Sequence, residues 1–177
     1  MPAKEFILET ERLFICPWGE SDVEYYMQLS KDIGYNSFSV PGQFFVDNIE
    51  QAKSKIYQRM ALFNERRLGK FPIFSRQNSE FIRTCGLDPY QLDGESEIEL
   101  GYRLLLRHWG KGYATEAAKV LLHYGFYQVG LSRLIAFALP QNRPSIRVIE
   151  KLGFKYLREF IHAGEIHKLY EMEQKPR

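Results

Sequence analysis

The sequence predicts one α/β domain over residues 1–177, with a mixed, mostly antiparallel central sheet and helices on both faces. A length of 177 residues with 45% hydrophobic and 15% aromatic content is enough for one sizeable folded core. A strand, a Gly-rich turn, a helix and a second strand follow one another over residues 98–138, which is the order of a βαβ unit. Short strands separated by turn residues surround that unit and favour antiparallel pairing.

The N-terminal third is predicted to contain a strand and two helices. The apolar run at 6–17 predicts a first strand with a polar interruption. The segment 21–24 has the capping-box pattern of a first helix, and Asp47 is the predicted N-cap of a second helix. Between the two helices lies a loop at 34–45, which carries the aromatic residues Tyr35, Phe38, Phe44 and Phe45.

Short strands and turns are predicted through the middle of the chain. Strands are expected at 71–75, 81–87 and 96–106, with turns at 77–79 and 88–94. Gly86 lies within the second of these strands and indicates either a bulge or a close approach of another backbone.

The C-terminal part is predicted to close the sheet. A buried strand at 133–138 follows the long helix, so it should run parallel to the strand that enters the Gly-rich turn. Asn142 is the predicted N-cap of a short helix, which has Pro144 in its first turn and Gly153 as its C-cap. A final antiparallel pair is expected, at 154–161 and 165–172.

The Gly-rich turn at 107–112 is the most specific feature of the sequence. Its residues are Arg107-His108-Trp109-Gly110-Lys111-Gly112, and a helical pattern follows at once. Free backbone N–H groups at a helix N-terminus attract anions, and glycines let an anion touch the backbone. Arg107 and Lys111 add two cationic side chains. The turn therefore predicts a pyrophosphate site, the alternative being a plain helix cap.

Composition argues against several other classes of function. The net charge is only +2 and the positive residues are dispersed, so nucleic acid is not an expected partner. Cys16, Cys85 and the four histidines match no metal-ligand spacing, so no metal is expected. The first residues do not begin a secretory signal and no apolar run reaches bilayer length, so we expect a cytoplasmic protein without membrane association.

The order Arg-x-x-Gly-x-Gly at 107–112, followed by Tyr-Ala-Thr-Glu-Ala, resembles the coenzyme A pyrophosphate loop of GNAT N-acetyltransferases. The most similar branch contains enzymes that acetylate the N-termini of ribosomal proteins. The segment 142–154 resembles the GNAT pattern Asn-x-x-Ser followed by Glu-Lys-x-Gly-Phe. With Glu-Leu-Gly-Tyr at 99–102, the resemblance covers about residues 85–154. It implies the GNAT-like three-layer fold, with a βαβ coenzyme-binding unit, and acetyl-CoA as cosubstrate.

The same resemblance implies which residues hold the coenzyme. In the family, the strand before the Gly-rich turn pairs with the pantetheine arm like an added strand, and here that is the backbone of 102–104. The implied contacts are Tyr102, Leu104, Arg107, Gly110, Lys111, Gly112, Tyr113, Ala114, Asn142 and Ser145. The chain departs from the family between Tyr102 and Trp109, where relatives have an acidic or Pro-containing turn.

Acetyl transfer to an amine needs a base for the amine and an acid for the departing thiolate. Strand alternation places Glu97 and Glu99 on one face, and Glu99 is preferred as the base because it stands at the family's Glu-x-Gly-Tyr position. The alternative is a solvated strand face. Ser145 matches the family position whose hydroxyl lies near the coenzyme sulfur, so it is the candidate acid or else a helix cap. Tyr170 is an alternative acid.

Two functions follow from these features. The first is an acetyl-CoA-dependent N-acetyltransferase that transfers the acetyl group directly to a primary amine, on a protein N-terminus or a small molecule. The second is a coenzyme A-binding regulatory or interaction module without turnover. The loop at 34–45 and the hairpin at 160–168 are expected to select the acceptor. The protein is expected to be a monomer or a homodimer.

Overall fold

The computed structural model describes residues 8–31 and 46–174. The strands in this part of the chain are β1 (Leu8–Glu9), β2 (Leu13–Ile15), β3 (Gly69–Ser75), β4 (Phe81–Leu92), β5 (Glu95–Leu104), β6 (Arg133–Ala138), β7 (Lys155–His162) and β8 (Glu165–Glu173). They form one sheet in the order β1-β2-β3-β4-β5-β6-β8-β7. All neighbours are antiparallel except β5 and β6, which are parallel. The predicted mixed, mostly antiparallel sheet is confirmed.

Helices cover both faces of the sheet. They are α1 (Val23–Lys31), α2 (Ile49–Arg66), α3 (Tyr113–His123) and α4 (Arg143–Leu152). Side chains of α1 and α2 pack with Phe74 and Phe81 on one face, and side chains of α3 and α4 pack with Leu134 and Ala136 on the other. None of the helices described is both long and apolar enough to cross a bilayer.

The starts of α1 and α2 differ from the prediction. The capping box at 21–24 is wrong, since a short 3₁₀ turn precedes α1 and the buried Asp22 carboxylate accepts from Gly19 N at 2.8 Å. The N-cap of α2 is Asn48 and not Asp47, because the extended backbone of Asn48 directs its Oδ1 to Gln51 N at 2.9 Å. The loop at 34–45 and its aromatic residues lie outside the described residues.

The predicted turn at 88–94 is also wrong. β4 continues to Leu92, and the turn consists of Asp93 and Gly94 alone, with φ of 52° and 90°. Two residues with positive φ are sufficient to reverse an antiparallel pair. The longer β4 places Asp88 opposite Glu99 and Tyr90 opposite Glu97, so Tyr90 and Glu99 share a face of the sheet.

The βαβ unit divides the sheet into two parts, β1 to β5 and β6 to β8. β5 and β6 pair only at Glu99 and Ile135. Leu105 N donates to Ile82 O on β4, so alternation along the strand turns the amide groups of Tyr102 and Leu104 towards the opposite edge. That edge faces the gap left where β6 separates from β5.

Candidate active site

A cavity of about 520 Å³ lies between the diverging ends of β5 and β6. The first turns of α3 and α4 and the β7–β8 hairpin complete its walls. All the predicted site residues except Arg107 and Lys111 line it, namely Glu99, Tyr102, Leu104, Gly110, Gly112, Tyr113, Ala114, Asn142 and Ser145. The fold therefore brings together the sequence segments 99–114 and 142–145, as the βαβ prediction requires.

The glycine turn (Gly110–Gly112) forms one end of this cavity. Gly110 and Gly112 have φ of 72° and 81°, in the left-handed region that favours glycine. Gly112 is the N-cap of α3, and no side chain caps this helix. The backbone N–H groups at 113–115 therefore meet the cavity at the positive end of the helix dipole, which suits a bound phosphate.

The two predicted cations of the turn lie outside the cavity lining. Arg107 Nε donates to Glu80 Oε1 at 2.9 Å, and this hydrogen bond is the main cause that lowers the pKa of Glu80. Lys111 is exposed, and its carbonyl accepts from Arg12 Nη1 at 3.0 Å. In this conformation the backbone of the turn, and not these side chains, faces the cavity.

Arg12 connects the turn between β1 and β2 to the glycine turn. Its Nε donates to Glu116 Oε2 at 2.7 Å, and its guanidinium lies 4.6 Å from the centre of the Tyr113 ring. Thr10 Oγ1 donates to the other oxygen of Glu116 at 2.5 Å. Burial opposes the charge of Glu116, but the hydrogen bonds from Thr10 and Arg12 outweigh it and hold its pKa below the usual value. Glu116 thus holds the turn between β1 and β2 against the start of α3, and it is also an acidic residue in the first turn of that helix.

The exposed edge of β5 lies between the two ends of the cavity. Tyr102 and Leu104 direct their backbone groups to this edge, as derived above from the strand alternation. The indole N–H of Trp109 already donates to Leu104 O at 3.0 Å. Tyr102 thus keeps both of its edge-facing backbone groups available for pairing with a ligand, whereas the Leu104 carbonyl would share its lone pairs with Trp109.

Ser145 and Tyr102 are in direct contact across the cavity. Tyr102 Oη donates to Ser145 O at 2.9 Å and lies 3.1 Å from Ser145 Oγ. Burial raises the pKa of Tyr102, so its hydroxyl remains protonated at neutral pH. Asn142 Oδ1 accepts from Ser145 N at 3.2 Å, which confirms Asn142 as the cap of α4. The alternative acid Tyr170 packs against Tyr156 and is not among the residues that line the cavity.

The opposite end of the cavity is built around Glu99. We call it the Glu99 end and define it by Lys70, Tyr90, Glu99, Arg103, Phe137, His162 and His167. Lys70 Nζ lies 3.1 Å from Glu99 Oε2, and the Lys70 side chain is only 8% exposed. Glu97 is instead paired with Arg133 and does not line the cavity. The two carboxylates that the sequence places together therefore have separate partners and surroundings.

Aromatic and imidazole rings surround the Glu99 end. His162 Nδ1 lies 2.8 Å from Tyr90 Oη, and the His162 and His167 rings are 5.2 Å apart. Burial, and secondarily the neighbouring His167, lowers the pKa of His162, so its ring is neutral at pH 7. Within residues 8–31 and 46–174 no group of three His, Cys, Asp or Glu side chains could hold a metal ion.

Sequence reasoning missed Arg12, Lys70, Tyr90, His162 and His167. Arg12 had a weak signal, because the segment 9–13 also fits the family, although it is less diagnostic than residues 85–154. The others lie on β3, β4, β7 and β8, and only strand pairing brings them to Glu99. No spacing along the chain could reveal that juxtaposition.

Comparison with known proteins identifies the same fold and family. A family model described as Acetyltransferase (GNAT) domain matches residues 12–155. The uncharacterized N-acetyltransferase YoaA of Bacillus subtilis is 31% identical over 162 residues, which cover 89% of each chain. The uncharacterized protein YkkB of the same organism is 42% identical over 81 residues, but that match spans only 46% of this chain and 47% of YkkB.

A solved structure extends the comparison to the whole fold. RimL, a ribosomal L7/L12 α-N-protein acetyltransferase in complex with coenzyme A, superimposes with a TM-score of 0.80. The superposition covers 96% of this chain and 98% of RimL at 16% sequence identity, so it supports the fold.

The network around Arg12 predicts how the glycine turn is held. We expect Arg12→Ala and Glu116→Gln each to weaken coenzyme A binding about 2- to 10-fold, because a partly exposed ion pair contributes about 1 kcal/mol. Isothermal titration calorimetry measures the change. Arg12→Ala removes a positive charge, whereas Glu116→Gln removes a negative charge. Tighter binding by Glu116→Gln would show that Arg12 acts through its charge and not by holding the turn.

Proposed function

The chain belongs to the GNAT acetyltransferase family, and on this premise we propose that it transfers the acetyl group of acetyl-CoA directly to a primary amine. The observation that carries the proposal is the separation of β5 from β6 directly after Glu99. It leaves a strand edge with the glycine turn beyond one end and a carboxylate at the other. Five residues of extended strand separate Glu99 from Leu104, which corresponds to about 17 Å.

The coenzyme would lie along this edge. Its pyrophosphate would meet the N–H groups of the glycine turn, and its pantetheine amides would pair with the backbone of Tyr102 and Leu104. The thioester would then lie near Ser145 and at the entrance to the Glu99 end. These placements use the backbone, so they require the strand geometry more than particular side chains.

The acceptor nitrogen must lose two protons, and the departing sulfur must gain one. Glu99 takes the first proton from the acceptor ammonium, and the freed nitrogen lone pair attacks the thioester carbonyl, so that a C–N bond forms and the C–S bond breaks. Ser145 Oγ gives its proton to the departing thiolate and takes up the second proton of the nitrogen, so that it ends the reaction as a hydroxyl. Tyr102 Oη contacts Ser145 Oγ and keeps its own proton. The products are an amide and free coenzyme A.

An acetyl-cysteine intermediate does not fit this site. Cys85 and Cys16 are both fully buried, and neither lines the cavity. Burial strongly raises the pKa of the Cys85 thiol, which disfavours the nucleophilic thiolate. Direct transfer within a ternary complex is therefore the proposed route. Cysteines kept as thiols also suit the reducing cytoplasm in which we place the reaction.

The charges at the Glu99 end favour one class of acceptor. Among the described residues that line it, Lys70 and Arg103 are positive and Glu99 is negative, while the nearby carboxylate of Asp88 is paired with Arg59. A polyamine would bring further positive charges into this environment, at a Coulomb cost that a primary amine on a neutral body avoids. We infer an acceptor with one amine on an uncharged or acidic body, such as a protein N-terminus. RimL, by its name, acts on an α-amine of this kind.

A thiol-release assay with acetyl-CoA tests both the activity and the acceptor class. We expect coenzyme release with peptides that carry a free α-amine and at least 10-fold lower kcat/KM with spermidine. Calorimetry on the same sample measures coenzyme binding. Binding without thiol release on any amine would instead support the regulatory module, and a preference for spermidine would contradict the charge argument.

Glu99→Gln is expected to lower kcat/KM at neutral pH by about 100-fold, the range typical of a lost general base. An α-amine with a pKa near 8 is only about 10% neutral at pH 7, so the deficit should shrink as the pH rises and the free amine loses its proton unaided. A pH–rate profile measures this. Glu97→Gln is the matched control and should remain within about 2-fold of wild type. A deficit independent of pH, or one shown by Glu97→Gln instead, would exclude Glu99 as the base.

Ser145→Ala is expected to lower kcat about 10- to 100-fold while coenzyme affinity stays nearly constant, because the thiolate loses its acid. Tyr102→Phe removes the hydroxyl that contacts Ser145 and should show a smaller loss of the same kind. Pre-steady-state thiol release on folded protein measures both. Normal turnover of Ser145→Ala, with only its melting temperature lowered, would leave Ser145 a helix-capping role.

A further inference from the structure

A lysine and two glycines form a row across the sheet beside Glu99. Lys70 on β3 pairs with Gly86 on β4, and Gly86 pairs with Gly101 on β5. Directly opposite residues of antiparallel strands share a face, so these three positions point to the same side of the sheet. Glu99, two residues before Gly101, points to that side as well.

A side chain at either glycine would meet atoms that already occupy its place. A Cβ at Gly86 would lie 2.0 Å from Gly69 O and 2.5 Å from Lys70 Cα. A Cβ at Gly101 would lie 2.8 Å from both Cε and Nζ of Lys70 and 2.9 Å from Glu99 Oε1. The backbone of β3 therefore fills the space at Gly86, and the end of the Lys70 side chain lies over Gly101, where a side chain would otherwise be.

This path explains how Lys70 reaches Glu99 across two strand spacings, a distance of about 9.6 Å. The Trp18 indole N–H fixes the start of the path, since it donates to Lys70 O at 2.7 Å. The ammonium ends 3.1 Å from Glu99 Oε2, with 8% of the Lys70 side chain and 14% of the Glu99 side chain exposed. Such a buried contact limits the rotamers of both side chains.

We propose that Lys70 is a positioning residue for Glu99, which it holds through Oε2 so that Oε1 alone receives the proton of the acceptor amine. This inference rests on the proposed role of Glu99 as the base. The other charged or titratable groups of the Glu99 end are Tyr90 on β4, Arg103 on β5, His162 on β7 and His167 on β8, and Asp88, directly opposite Glu99 on β4, is paired with Arg59. None of these has a hydrogen bond to Glu99 among the described residues, where Lys70 is the partner of its carboxylate.

A double-mutant cycle tests this role. Lys70→Met is expected to lower kcat/KM about 10- to 100-fold, the loss typical of a misplaced catalytic group, with coenzyme A affinity unchanged by calorimetry. In a Glu99→Gln background the same substitution should have no further effect, because Lys70 acts only through the carboxylate. A structural role would give equal losses in both backgrounds and would overturn the proposal.

Arg133→Met is the matched control, because it removes the cation that pairs with Glu97. Glu97 lies on the same strand and face as Glu99 but does not line the cavity. It should leave kcat/KM within about 2-fold of wild type, and a loss as large as that of Lys70→Met would overturn the proposal. Gly101→Ala is a second variant, since its methyl group displaces the ion pair while both charges remain. It should reproduce the Lys70→Met deficit, again only where Glu99 is present.

The outcomes for Lys70 and for Glu99 are separable. Glu99→Gln alone reports on the base, so a normal rate for that variant overturns the role of Glu99 and, with it, that of Lys70. A large deficit in Glu99→Gln with a normal rate in Lys70→Met overturns the positioning role and leaves the base in place.

Discussion

The parallel ladder between β5 and β6 consists of a single residue pair, and the rest of the site depends on that limit. Glu99 and Ile135 hold the two strands together at one point, beyond which the strands diverge. The two strands are parallel because α3 carries the chain from the end of β5 back to the start of β6. The divergence places an open strand edge, a helix N-terminus and a carboxylate around one cavity.

Much of this arrangement could be predicted from the sequence because it depends on local signals. The left-handed glycines at 110–112, the Asn142 cap and the strand at 133–138 each have a short-range pattern with one structural outcome. The Asp93–Gly94 turn had such a signal as well, but a broader turn at 88–94 was predicted and the strand that carries Tyr90 was cut short. Element types were thus easier to predict than their limits.

The surroundings of the base could not be predicted, because they depend on which strands are neighbours and in which register. A shift of one residue between β3 and β4 would move Lys70 away from Gly86 and turn its side chain to the other face. His162 and His167 reach the Glu99 end only because β7 and β8 are added beyond β6. The sequence contains these residues, but the sheet order determines their neighbours.

The divided sheet also affects how tightly the molecule is held together. Its two parts, β1–β5 and β6–β8, share one backbone bridge, the apolar contacts of α3 and side-chain contacts such as those of Tyr90 with Phe137 and His162. A ligand that pairs with the β5 edge binds the folded state alone, and so it adds RT ln(1 + [L]/Kd) to the free energy of unfolding. At a ligand concentration 100 times Kd this is about 2.7 kcal/mol, a large share of a typical domain's stability. In a cell with a high concentration of the ligand, most of the folded protein would therefore be the bound form, and the ligand-free form would be the less stable of the two.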